Sequence, residues 1–161
     1  MIKRFNLFFL TLLNIGKIKY APGTLASLVT CLLFLLLISV LDISIILLCT
    51  LVIFLYSFIA INNSFDTFDT EDPQEIVIDE VVGQMLPLLA IPVYETLYIA
   101  PKEYYCVAAF ILFRLFDIWK PFPINYVDNN TRGALGIMLD DILAGVYTII
   151  TLTITFFFLG G

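Results

Sequence analysis

ASLVTCLLFLLLISVLDISIILLCTLVIFLYSFIAI, residues 26–61, decides the fold: one charge, Asp42, joins two apolar runs, 26–41 and 43–61. Each is long enough to span or nearly span a bilayer, and a third such run covers 142–159. In 161 residues, 61% hydrophobic and 14% charged content with mean hydropathy +1.01 describes a membrane protein rather than a soluble domain. Two shorter apolar runs, 81–94 and 104–113, read as tilted, broken or half-buried helices, the first interrupted by Pro87 and Pro92. The pattern predicts a single domain over 1–161: an all-α, compact, membrane-embedded bundle of about four to six helices with a polar site on one face.

The N-terminus starts with Lys3 and Arg4 before a short apolar run, 5–13. No small-residue cleavage site follows, so it reads as an interfacial helix rather than a removed signal. Lys3, Arg4, Lys17 and Lys19 precede the first long run, which puts the N-terminus in the cytoplasm by the positive-inside rule. Counting 81–100 as one traverse or a re-entrant pair then brings 62–80 and 114–141 to the cytoplasmic face, with the Asp42 hairpin outside. Cys31, Cys49 and Cys106 lie in apolar runs without metal or redox spacing and read as small core residues. Net charge of −6, with no basic stripe, argues against a nucleic-acid partner. Much of the acid sits in DTFDTEDPQE, 66–75, which reads as a solvated loop.

The remaining charges gather where an oily chain has to justify them. In FRLFDIWKPFPINYVDNNTRGALGIMLDDILAG, 113–145, stand Arg114, Asp117, Lys120, Arg132, Asp140 and Asp141. Asp79 and Glu80 open DEVVGQMLPLLA. Asp79–Glu80 precede Gly83, and Asp140–Asp141 precede Ala144 and Gly145, so two helices are expected to begin with paired acids followed by a small residue that permits close packing. Paired acids at a helix start complement its macrodipole; convergent carboxylates with water are also what a hard cation such as Mg²⁺ binds. Arg114, Asp117 and Lys120, spaced by three, share a helical face ahead of Pro121 and form either an ion-pair ladder or a holder for a phosphoryl group. Pro121 to Gly136 reads as a turn-rich connecting loop. In GKIKYAPGTLAS, Pro22 and Gly23 break the chain before a helix that Thr24 caps, where free amides with Lys17 and Lys19 nearby suit an anion.

Absences narrow the chemistry. The chain has no histidine, which excludes a phosphohistidine, a Ser-His-Asp triad and His-ligated zinc. It has no Walker glycine loop and no thiolate-phosphatase cysteine–arginine spacing. Carboxylates, a metal and a few cations remain.

The pieces APGTLAS (21–27), DEVVG (79–83), FRLFDIWKPFPI (113–124) and GALGIMLDDILAG (133–145) resemble the bacterial phosphatidylglycerophosphatase A family, in the family's order. Ala26 and Ala134 stand where the family pattern has glycine, and both keep a small side chain. The resemblance implies a mostly helical enzyme of phospholipid biosynthesis at the bacterial inner membrane. Its implied reaction is Mg²⁺-dependent hydrolysis of phosphatidylglycerophosphate to phosphatidylglycerol and phosphate. On this basis Asp79, Glu80, Asp140 and Asp141 are expected to hold one or two Mg²⁺ ions, with Asp117 joining them in catalysis. Arg114, Lys120, Lys17 and Thr24 are expected to bind the substrate phosphate. Water activated by the metal is the expected nucleophile, with direct attack by a carboxylate as the alternative. Two other classes stand beside the enzyme: a small channel or transporter subunit with a charged path, and a non-catalytic membrane assembly protein. Oligomeric state does not follow from the residues.

Overall fold

The computed structural model describes residues 2–64, 73–98 and 101–159. Among them the chain is helical throughout: α1 (Ile2–Leu10), a 3-10 turn (Ile15–Lys17), α2 (Pro22–Leu37), α3 (Ile43–Ser64), α4 (Ile78–Leu89), α5 (Ile91–Tyr98), α6 (Lys102–Trp119), α7 (Ile124–Asn130) and α8 (Gly133–Leu159). The all-α expectation holds. The eight α-helices exceed the expected four to six because α5 and α7 form where the sequence reads as an interrupted run and a loop. Most of the acidic stretch 66–75 lies outside the described residues; Gln74 and Glu75 at its end are exposed.

Asp42 caps α3: its carboxylate accepts the Ser44 N–H at 2.8 Å, which explains a lone charge between two apolar helices. Of the described helices, α3 and the 133–158 part of α8 are long and apolar enough to cross a membrane, and α2 is shorter. The outer faces of α2 and α3 remain apolar, with Leu36, Leu48, Val52 and Leu55 all exposed. So broad an apolar surface is what a lipid-facing side presents. Inside, Ser27, Thr30, Thr50, Ser57 and Thr148 are buried, and each hydroxyl donates to the carbonyl four residues earlier. Their hydrogen-bonding needs are met within their own helices. Cys31 and Cys106 are buried as expected, whereas Cys49 is exposed on α3 and belongs to no core.

α8 is the central element, packed on α3, α4, α6 and α7. Its contact with α4 is set by two glycines. A Cβ on Gly145 would lie 2.5 Å from the Gly83 carbonyl oxygen, and one on Gly83 would lie 2.6 Å from the Asp141 carbonyl oxygen. Pro87, inside α4, has no N–H to offer the Gly83 carbonyl four residues before it, so the same carbonyl is freed from the helix ladder and covered by Gly145. Proline therefore does not end this helix. The chain turns at Ala90 into α5, so the described part of this stretch, through Tyr98, is a pair of short helices rather than one traverse; α4 alone rises about 18 Å, well short of the hydrocarbon thickness. Away from this contact, Tyr94 donates to or accepts from Thr153 Oγ1 at 2.9 Å, and Tyr105 stacks edge-on against Phe156, tying α5 and α6 to the C-terminal half of α8.

Candidate active site

The glycine-set contact between α4 and α8 brings their acids to one level. Asp79 and Glu80 sit in the first turn of α4, as expected. Asp140 and Asp141 do not start a helix: α8 begins at Gly133, and the pair lies two turns inside it, buried. The expected symmetry of two acid-led helices is thus wrong, and for Asp140 and Asp141 the macrodipole offers no account, since its effect fades within the first turn. Oxygens of Asp79, Glu80 and Asp141 lie within 4.8 Å of one another, and so do those of Asp117, Asp140 and Asp141. Asp141 is common to both groups.

Two cations face these acids from α6 and its end. Arg114 Nη1 lies 2.7 Å from Asp117 Oδ2, an ion pair one turn apart. The contact is electrostatic rather than a directed hydrogen bond, and Arg114 Nε is buried without an acceptor. Lys120 does not continue the helical face. α6 ends at Trp119, as the residue before Pro121 is disfavoured in the right-handed helix, and Lys120 adopts a left-handed backbone, φ 46°. From there its ammonium donates to Asp140 at 2.7 Å and to Asp128 at 2.5 Å. Asp128 belongs to α7, which forms within the stretch expected to be loop.

The third side comes from the start of α2. Pro22 is the first helical residue and Ala21, at φ 46°, precedes it, so Thr24 lies within the first turn instead of capping it. A Cβ on Gly23 would meet Glu80 Oε1 at 1.9 Å and Arg114 Nη1 at 3.3 Å. Only glycine lets these groups lie against the α2 backbone.

Together these elements enclose a cavity of about 410 Å³ lined by Thr24, Asp79, Glu80, Arg114, Asp117, Lys120, Asp140 and Asp141. All the expected site residues meet there except Lys17, which is exposed and outside the lining; Lys19 takes its place. The backbone between the 3-10 turn and Ala21 decides which lysine arrives, and nothing in the residue types distinguishes them. Asp128 is the other missed contributor, with its position eight residues beyond Lys120 as the only trace in sequence. A smaller recess, about 240 Å³, adjoins the cavity through Ile137 and Asp140 and contains Arg132 and Gly133.

Burial, then repulsion from Glu80, Asp141 and Asp140, pushes the Asp79 carboxyl well above the usual carboxylate range. Burial also raises Glu80, against the opposing effect of Arg114. Burial disfavours the Lys120 ammonium, yet its bonds to Asp128 and Asp140 outweigh this and hold it above its ordinary value. Glu80 Oε2 and Asp141 Oδ2 are buried with no hydrogen-bond donor. Crowded carboxylates with unpartnered oxygens, and neither cysteine nor histidine in the cavity lining, fit a hard divalent cation coordinated by oxygen. Arg114, Lys120 and Lys19 at the same cavity fit a phosphoryl group.

The sequence matches the family model described as Phosphatidylglycerophosphatase A over residues 8–156. A Haemophilus influenzae protein named "Phosphatidylglycerophosphatase A" is 40% identical over 135 residues, covering 84% of this chain and 78% of that protein. Its Escherichia coli namesake is 43% identical over 75 residues, 47% of this chain and 40% of that protein. A Bacteroides thetaiotaomicron protein named "Putative phosphatidylinositol-3-phosphatase" is 36% identical over 148 residues, 90% of this chain and 89% of that protein. No solved structure matches the chain. With nearly its whole length matched, the chain belongs to the phosphatidylglycerophosphatase A family of lipid phosphatases.

Proposed function

We propose that the protein is a Mg²⁺-dependent phosphatase that hydrolyses phosphatidylglycerophosphate to phosphatidylglycerol and inorganic phosphate, at the inner membrane, with its cavity open to the cytoplasm. The observation that carries this reading is the pair of carboxylate groups sharing Asp141 beside Arg114 and Lys120. Asp79, Glu80, Asp140 and Asp141 are the residues that would hold Mg²⁺, with Asp117 alongside. When bound, the cation neutralises phosphate oxygens and acidifies water.

The chain's own groups then have distinct tasks. Arg114, in the cavity lining, offers its planar guanidinium to phosphate oxygens, while Asp117 holds Nη1 at 2.7 Å. Lys120, anchored by Asp128 and Asp140, presents a fixed positive charge to the third oxygen or to the bridging oxygen. Thr24 and Lys19 close the cavity from the α2 side. Hydrolysis forms a bond from water oxygen to phosphorus and breaks the bond from phosphorus to the glycerol oxygen. A carboxylate must take the water proton and return one to the departing glycerol oxygen, so that an alcohol leaves. Asp79, which lines the cavity and has one oxygen fixed by the Glu80 N–H at 3.1 Å, is the group placed to carry that proton on the other.

The test is phosphate release from phosphatidylglycerophosphate in detergent, with and without Mg²⁺, for the wild type, Asp141→Asn and Arg114→Ala. Activity that is equal in all conditions refutes the metal assignment, and full activity in a folded Arg114→Ala removes that residue from phosphate binding. The Bacteroides relative's name favours a second reading, a phosphoinositide monoester as substrate. Comparison of kcat/KM on phosphatidylinositol 3-phosphate and phosphatidylglycerophosphate decides between them.

A further inference from the structure

A second cavity, about 280 Å³ and wholly apolar, lies between α3, α4 and α8. Its walls are Leu47, Leu51 and Phe54 of α3, Val82 and Leu86 of α4, and Ile142 of α8. The one hydroxyl at its edge, on Thr50, donates to the Ile46 carbonyl at 2.9 Å, which leaves no polar group facing the groove. Leu47 and Leu51 are 55% and 49% exposed, so the groove opens along its length to the outside of the bundle.

Its position relative to the carboxylates gives it meaning. Asp79, Val82, Leu86 and Leu89 recur at intervals of three, four and three, which is one face of α4. On α8, Ile142 directly follows Asp141, and Leu86 packs against Gly145, whose Cβ would lie 3.2 Å from Leu86 Cδ1. The two helices that bring the acids together are therefore two of the groove's three walls. The apolar slot starts one turn beyond Asp79 and ends at Leu89, about 15 Å along the helix from that carboxylate.

We propose that this groove holds an acyl chain of the same lipid whose phosphate enters the polar cavity. The proposal rests on the lipid-phosphatase reading above. A charged pocket continuing along one helical face into a wholly apolar slot matches a molecule with a phosphate at one end and hydrocarbon at the other. Moving a chain from neighbouring lipid tails to leucine side chains exchanges one apolar medium for another, so burial alone contributes little. The gain is orientation: a chain seated along α4 restricts the headgroup to the space in front of Asp79. The groove accordingly selects for chain length.

The experiment compares kcat/KM for dioleoyl and dihexanoyl phosphatidylglycerophosphate in mixed micelles. Leu51→Trp, and separately Leu47→Trp, fill the groove from an exposed position and should lower the long-to-short ratio about tenfold. Leu55→Trp, exposed on α3 but outside the groove, should leave the ratio at the wild-type value. A second measurement needs no turnover: phosphatidylglycerophosphate with a diazirine in its acyl tail should label the peptide spanning 47–54 more than phosphatidylcholine with the same tail. Equal labelling by the two lipids, or an unchanged ratio in both tryptophan variants, overturns the proposal. Preferential labelling without phosphate release at either chain length overturns the hydrolysis reading and leaves the groove assignment standing.

Discussion

A methyl group on Gly23 would stand 1.9 Å from Glu80 Oε1, so the first turns of α2 and α4 meet at a position with no room for a side chain. The atom it would strike is the end of a flexible side chain rather than backbone. Gly23→Ala should therefore displace the Glu80 carboxylate and crowd Arg114 while leaving the helices in place. We expect phosphatase activity to fall by about 10²-fold, the scale of losing one electrostatic contact to the transition state. Thermal unfolding in detergent should shift little. A large loss of thermal stability would show that this contact holds the fold.

The glycines between α4 and α8 should behave in the opposite way. At Gly83 and Gly145 the obstructing atoms are backbone carbonyl oxygens, at 2.6 and 2.5 Å, which move only if the helices separate. Gly83→Ala and Gly145→Ala should each destabilise the protein by about 1–3 kcal/mol, as overpacking does. Chemical unfolding measures this, and activity should fall in proportion to the folded fraction and to the widened carboxylate spacing.

Asp141 belongs to both carboxylate groups, and Oδ2 is buried without a donor. Asp141→Asn should abolish most activity, on the order of 10²–10³. The same change removes like-charge repulsion from Asp79 and Asp140, so in chelator the variant should melt above the wild type. Opposite signs for activity and stability would mark a position kept for chemistry.

The protonation of Asp79 gives a pH dependence with a defined sign. Its carboxyl binds a proton more tightly in the fold than in the unfolded chain, where the ordinary value is 3.8. Stability from this group is thus complete below that value and declines as pH rises through the raised one. In chelator, the melting temperature should fall as pH is increased from about 4 toward neutrality. Saturating Mg²⁺ should flatten the profile, since a bound cation favours the ionised form. A metal-free profile that rises over this range contradicts the assignment.

Lys120 tests the role of α7. Asp128, the more exposed of its two partners, should contribute modestly: Asp128→Asn is expected to reduce kcat/KM about two- to fivefold, the scale of a partly exposed ion pair. Lys120→Met removes the charge itself and should cost far more. Equal losses in the two variants would place Asp128 in the cavity's chemistry instead of behind the lysine.

The long helices were legible because a run that crosses hydrocarbon has little choice of residue. So were the types of the site residues, since charge in such a chain is rare. Their settings were harder to read. Gly133 and Gly136 suggest a turn ahead of Asp140, yet Gly136 is helical and small because the Thr131 carbonyl approaches it; a Cβ would lie 2.4 Å away. That hid the start of α8 and made Asp140 and Asp141 look like terminal acids. Lys120 and Thr24 carry readable signals: a residue before proline leaves the helix, although spacing by three keeps Lys120 on its face, and a proline opening a helix occupies its first turn, although Pro22–Gly23 also reads as a break. The choice of Lys19 over Lys17 is made by the backbone between the 3-10 turn and Ala21, which is left-handed without being glycine, and no local pattern announces it.

The interior placement of Asp140 and Asp141 makes α8 a depth gauge. Beyond Asp141 the helix continues through residues 142–159, a rise of about 27 Å, close to the thickness of a bilayer's hydrocarbon. If that segment fills the apolar layer, the carboxylates come to rest at its edge, level with the phosphates of the surrounding lipids. A substrate can then reach them by drifting sideways within its own leaflet, with its tails never leaving oil. Lengthening or shortening α8 beyond Asp141 would raise or sink the whole carboxylate ring relative to that plane, so bilayer thickness itself becomes a variable of the reaction.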